Sequence, residues 1–91
     1  MEWKASHILV QDKSLADAIL KRLKEGGSFE TLARNFSKCP SKSKGGDLGW
    51  FGEGQMVKPF EDAVKKSSKG RITGPVKTQF GFHIIKKTGE R

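Results

Sequence analysis

The sequence predicts an α+β domain in which helices wrap around a small, mostly antiparallel sheet. Three observations predict it. Strand-like runs lie near both ends of the chain, at Trp3–Val10 and Phe82–Lys87. Between them, three stretches carry apolar residues at helical spacing. The chain has 91 residues and one cysteine, which allows one small core and no internal disulfide. Residues 1–91 therefore read as a single domain, without repeats or linkers.

In the first strand, Trp3, Ala5, His7 and Leu9 share one face, and Lys4, Ser6, Ile8 and Val10 the other. Both faces turn apolar toward the end, so the strand is central and His7 points inward. An inward histidine is ordinarily a hydrogen-bonded core residue. After Gln11-Asp12-Lys13, Ser14 reads as the N-cap of a helix with Leu15, Ile19 and Leu23 at i, i+4 and i+8. Lys21, Arg22 and Lys24 suit the negative end of its dipole, and Gly26-Gly27 ends it. Ser28 caps a second helix, with Phe29, Leu32, Ala33 and Phe36 on one side, which must stop ahead of Pro40. The segment Ser37–Lys44 is polar and basic and reads as mobile; it holds Cys39.

A glycine-rich stretch follows, with glycines at 45, 46, 49, 52 and 54, which demands tight turns. Leu48–Phe51 reads as a brief strand. Leu48, Trp50, Phe51, Met56 and Phe60 are large apolar side chains on or beside these turns, either packed under a loop or lining a pocket. Pro59 suits the first position of a third helix, and Gly70 reads as its C′ residue. Arg71–Lys77 is an edge-type strand because it contains Pro75. Thr78–Gly81 is a turn. In the last strand, His83 and Ile85 share a face, opposite Phe82 and Ile84.

The formal net charge is +8, with 18 Lys/Arg against 10 Asp/Glu. Residues 38–91 carry most of the excess. Two readings fit: a solvated lysine face, or attraction to an anionic lipid or nucleic-acid surface through Lys42, Lys44, Lys58, Lys65, Lys66 and Lys69. No N-terminal apolar run has signal-peptide length and no stretch approaches membrane-spanning length, so the expectation is a cytoplasmic protein, monomeric, alone or within a longer chain.

Most site chemistries find little support. His7, Cys39 and His83 lack short metal-ligand spacing, so no metal is expected. Cys39 with a histidine could form a hydrolase pair, but no oxyanion or orienting group is identifiable. Gly52-Glu53-Gly54 is too short to cradle a phosphate. No strand carries the stacking aromatics of an RNA-binding sheet.

Four ordered blocks carry a specific resemblance: Ala5-Ser6-His7-Ile8-Leu9-Val10, Gly45-Gly46-Asp47-Leu48-Gly49-Trp50-Phe51, Gly54-Gln55-Met56-Val57-Lys58-Pro59-Phe60, and the run from Gly74 to Ile85. Together they resemble the parvulin family of peptidyl-prolyl cis/trans isomerases over nearly the whole chain. The resemblance implies a four-stranded antiparallel sheet surrounded by four helices, one more short helix than the pattern shows. It implies that His7, Cys39, Thr78 and His83 form the catalytic network, that Leu48, Met56 and Phe60 receive the substrate proline ring, and that Phe80 stands at the rim. It implies no cofactor, and proline-containing segments of client proteins as partners. Gln11-Asp12-Lys13 lacks the basic cluster of phosphate-selective members, so a non-phospho-selective, stand-alone folding helper is expected, with apolar or broad preference before proline. A module that binds such segments without turning them over is the second reading, and a basic adaptor the third.

Overall fold

The computed structural model describes residues 1–91. Strand alternation and helical spacing resolve into β1 (Glu2–Val10), α1 (Lys13–Lys24), α2 (Phe29–Phe36), a 3-10 helix (Pro40–Lys44), β2 (Asp47–Gly52), α3 (Lys58–Lys66), β3 (Ile72–Thr78) and β4 (Gly81–Glu90). The sheet order is β2-β1-β4-β3, with every neighbouring pair antiparallel. β1 is central, as its two apolar faces require. Pro75 sits on edge strand β3 where the register with β4 shifts between Thr73 and Val76, so its missing N–H interrupts no regular ladder.

The two faces of the central strands bury different things. Ile8 and Val10 of β1 and Ile84 of β4 join Ala16, Ile19 and Leu23 of α1 and Phe29, Leu32 and Ala33 of α2 in one core. Trp3 and Ala5 of β1 and Ile85 of β4 join Phe51 of β2 and Phe60 and Val64 of α3 in a second. α1 and α2 therefore cover one face of the sheet and α3 the other.

Three local expectations are corrected. The N-cap of α1 is Asp12, whose carboxylate accepts the Ser14 N–H at 2.9 Å; Ser14 lies in the first turn. An anionic cap there also meets the positive end of the helix dipole, which outweighs a serine hydroxyl. α3 ends at Lys66, not near Gly70: Ser67 turns extended, its Oγ donates to Ala63 O at 2.8 Å, and Lys87 Nζ donates to Ser67 O at 2.9 Å. Gly70, at φ +86°, belongs to the turn into β3. The segment after α2 is held in place. Ser37 Oγ accepts the N–H groups of Leu9 and Cys39, and Lys38 N–H donates to Leu9 O at 2.7 Å, so the chain runs along the end of β1 before the 3-10 helix begins. That helix is the extra short one the family resemblance implied.

Gly46 shows why the following turn needs glycine. It has φ +91°, and a Cβ there would collide with the backbone carbonyl of His7. The close approach lets His7 N–H donate to Gly46 O at 2.9 Å, which brings the glycine-rich stretch against β1 beside the inward histidine. No helix is long and apolar enough to cross a membrane.

Candidate active site

α3 covers only part of its face. Beyond Phe60 the sheet is left open above His7 and His83, and a cleft of about 450 Å³ forms there. Strand alternation puts both histidines on this face, and the β1–β4 register, which sets Leu9 opposite His83 and His7 opposite Ile85, makes them diagonal neighbours. Their Nδ1 atoms are 2.9 Å apart and their rings are nearly parallel, at 20°. Phe60 presents itself edge-on to both, with centroids 5.6 Å from His7 and 5.3 Å from His83.

A polar chain runs behind the histidines. His83 Nε2 lies 2.7 Å from Thr78 Oγ1, which also accepts the Phe80 N–H at 3.1 Å. Burial holds His83 at about 4, below its usual 6.5; burial, reinforced by the neighbouring His83, does the same to His7, also at about 4. Both rings are therefore neutral at pH 7, each with one N–H. One assignment leaves the fewest groups unpaired: Thr78 O–H donates to His83 Nε2, and His83 Nδ1–H donates to His7 Nδ1. The remaining proton then resides on His7 Nε2, which is buried and has no partner. The opposite tautomers would leave both that nitrogen and the Thr78 hydroxyl proton unpaired.

The cleft wall is mainly apolar. Leu48 comes from β2, Met56 and Val57 from the loop before α3, Phe60 from α3 and Phe80 from the β3–β4 turn. Phe80 is half exposed, at 52%. Cys39, free and partly buried, lines the cleft at the start of the 3-10 helix, flanked by Lys38 and Pro40. Of the eight residues expected at the site, seven border this one cleft. Thr78 stands behind, reaching the cleft through His83. The six expected docking lysines divide between the 3-10 helix and the region of α3. Lys58 pairs with Asp62 at 3.3 Å and Lys65 with Glu61 at 3.5 Å.

Sequence reasoning missed Leu9, Lys38, Pro40, Gln55 and Val57 as lining residues. Leu9 was findable, since it alternates onto the His7 face. It also missed Gln11, whose side-chain amide donates to Phe80 O at 2.8 Å and so steadies the rim.

Comparison with known proteins bears directly on this geometry. A family model described as the PPIC-type PPIASE domain matches residues 2–91. The foldase protein PrsA of Bacillus subtilis is 56% identical over 89 residues, covering 97% of this chain and 30% of the foldase. A crystal structure of PrsA from Bacillus subtilis superposes with a TM-score of 0.95 at 55% identity, over 99% of this chain and 36% of that one. The solution structure of NmPin, the parvulin of Nitrosopumilus maritimus, superposes with a TM-score of 0.86 at 48% identity, over 97% and 96% of the two chains. A SurA-like chaperone of Campylobacter jejuni, from the pair comprising PEB4 and the periplasmic protein Cj1289, superposes with a TM-score of 0.91 at 43% identity, over 97% and 38%. These relatives overturn the expected cytoplasmic location, since the PrsA foldases are extracytoplasmic. The lack of a leader within the 91 residues carried no weight, because the chain spans only 30% of the Bacillus subtilis foldase. Fold, family match and relatives agree: the chain belongs to the parvulin, or PPIC-type, family of peptidyl-prolyl cis/trans isomerases.

Proposed function

We propose that the cleft takes the proline ring of an extended peptide against Leu48, Met56 and Phe60 and eases rotation about the preceding imide without covalent chemistry. The observation that carries this reading is an apolar wall set directly over a pair of neutral histidines. The planar imide owes its barrier of ~18–20 kcal/mol to resonance, which also separates charge between oxygen and nitrogen. Twisting the C–N bond removes that resonance and lowers the charge separation. An apolar, desolvated wall therefore favours the twisted imide over the planar one, and a catalyst need only bind the twisted form better.

In this reading the polar residues shape the site rather than attack the substrate. Thr78 and His83 fix the tautomer of His7, so that a neutral ring, not an imidazolium, lies beneath the reacting region. Cys39 serves as an electrostatic or hydrogen-bonding neighbour of the imide. Phe80 and Pro40 give apolar surface to residues flanking the proline. Clients are proline-containing segments of unfolded proteins, in keeping with relatives named foldases.

Exchange NMR on short Xaa–Pro peptides tests the proposal. Uncatalysed exchange takes tens to hundreds of seconds. Catalytic amounts of the domain are expected to bring exchange for several Xaa into the seconds range or faster. Peptides that bind at the cleft yet exchange at the uncatalysed rate would instead make the domain a binding module.

A further inference from the structure

We propose that Glu61 is a positioning residue for this cleft: its carboxylate holds the loop that carries Gln55, Met56 and Val57 in register with α3. The inference rests on the reading that proline binds between that loop and Phe60. Glu61 does not itself border the cleft. It lies in the first turn of α3, immediately after Phe60, and is only 8% exposed.

Burying a carboxylate is unfavourable unless its oxygens find donors. Here one oxygen, Oε1, accepts the Gly54 N–H at 2.8 Å, a charge-assisted bond to the backbone of the loop. The other, Oε2, lies 3.5 Å from Lys65 Nζ. Lys65 also reaches toward Glu53 Oε1 at 3.9 Å and lies over the Trp3 ring at 5.4 Å. Glu61 therefore links α3 to the loop directly through Gly54 and again through Lys65 to Glu53.

The loop needs such a link. Gly52 N–H donates to Gln55 Oε1 at 2.6 Å and Gln55 N–H to Gly52 O at 3.3 Å, so residues 52–55 close on themselves as a turn. Those bonds give the turn its shape and hang it from Gly52 at the end of β2, but they do not tie it to α3. Gly54 adopts φ +80°, with open space where a Cβ would be, so a left-handed backbone rather than crowding calls for glycine. Two glycines flanking Glu53 are soft joints on which the Met56 wall could swing. A displacement of about 1 Å in a wall that must discriminate twisted from planar imide is costly to turnover. The Glu61–Gly54 bond fixes the distance between Met56 on the loop and Phe60 on the helix.

The test uses Glu61→Leu, which keeps a buried side chain of similar size without an acceptor, and Glu61→Gln, which keeps the acceptor without the charge. Each is assayed by exchange NMR for kcat and KM, and by the Gly54 amide proton for its shift and solvent exchange. In Glu61→Leu, kcat/KM is expected to fall about tenfold, mostly through KM, with the Gly54 amide moving upfield and exchanging faster. Glu61→Gln is expected to retain the Gly54 signature and stay within about threefold of wild type. A purely structural role would lower melting temperature in both variants while leaving KM of the folded fraction alone. A folded Glu61→Leu with wild-type KM overturns the proposal. So does a Glu61→Gln that loses as much as Glu61→Leu while its Gly54 amide stays bonded. If Glu61→Leu does not fold, wild-type protein decides: a Gly54 amide exchanging as fast as an open loop means that no tether exists. A wild-type domain that accelerates no Xaa–Pro peptide removes the isomerase reading as well, whereas an active wild type with an indifferent Glu61→Leu removes this inference alone.

Discussion

The two faces of the central strands, one residue apart in sequence, meet different fates. On the α1/α2 face, Ile8, Val10 and Ile84 have no exposed surface, and two helices seal them. On the α3 face, Trp3, Ala5 and Ile85 are sealed by a nine-residue helix that stops short of the sheet's far end. There the same alternation that buries isoleucines on one side puts His7 and His83 at the floor of an open cleft. Each face is required for folding, but only the incompletely covered one has room for a substrate. In β1 the even residues Ile8 and Val10 serve a core alone, whereas the odd ones pass from core at Trp3 and Ala5 to the cleft at His7 and Leu9.

Paired truncations give the sharpest division between the faces and the largest expected effect. Ile84→Ala should cost roughly 3 kcal/mol of stability, because it empties space that two helices have closed around. Its kcat/KM, measured on the folded protein at low temperature, should stay within about twofold of wild type. Met56→Ala, on a partly exposed wall, should cost about 1 kcal/mol and lower kcat/KM about tenfold. Denaturant melts and exchange NMR on both variants check this. If Ile84→Ala harms turnover as much as Met56→Ala does, the faces are coupled and the division fails.

Acid sharpens the comparison next, since the sealed apolar cluster on the α1/α2 face has nothing to protonate. Burial lowers both His7 and His83 from 6.5 to about 4. Between those values the unfolded chain binds protons that the folded chain refuses, so stability falls as pH falls. The histidines' contribution is intact above about 6.5 and lost progressively down to about 4. Melting temperature should therefore drop across that window, and a His7→Phe/His83→Phe double variant, if folded, should drop less. Equal slopes would locate the acid sensitivity elsewhere. If neutral rings are the working form, as proposed, turnover should also weaken near pH 4, once an imidazolium forms.

The same contrast explains what the sequence disclosed. β1 and β4 alternate cleanly, and α1 and α2 repeat at helical spacing, because each buries one face against a large partner. The start of α1 was misplaced by two residues because Asp12 and Ser14 are both credible caps and only geometry chooses between them. The end of α3 was misjudged because Gly70 looks like a helix-ending glycine, while Ser67 and Lys87, twenty residues apart, do the work of ending it. The segment 37–44 looked mobile because its ties to Leu9, one through the Ser37 hydroxyl and one through the Lys38 N–H, leave no apolar periodicity. Nor does alternation reveal that His7 and His83 touch, since their proximity depends on pairing strands 76 positions apart. That contact, like the grouping of Cys39 with Met56 and Phe80, was legible only through likeness to a family. Cellular location was not legible at all, because the 91 residues span only 30% of the length of the Bacillus subtilis foldase.

Cys39 gives the smallest and most discriminating effect, because it belongs to neither core. It lies on the rim of the open face, fixed by the Cys39 N–H bond to Ser37 Oγ at 3.3 Å rather than by its thiol. Its backbone position therefore survives truncation, and Cys39→Ala should melt within about 0.5 kcal/mol of wild type. If the thiol interacts with the twisting imide, the variant should lose about threefold to tenfold in kcat/KM, carried by kcat rather than KM, because a contact that strengthens only as the bond twists leaves ground-state binding alone. Cys39→Ser separates the two contributions the thiol could make: a hydroxyl that restores turnover identifies hydrogen bonding, whereas serine and alanine falling alike identify the polarisable sulfur. An unchanged kcat in Cys39→Ala would take the cysteine out of the mechanism and leave the open face working through its apolar wall and histidine pair alone.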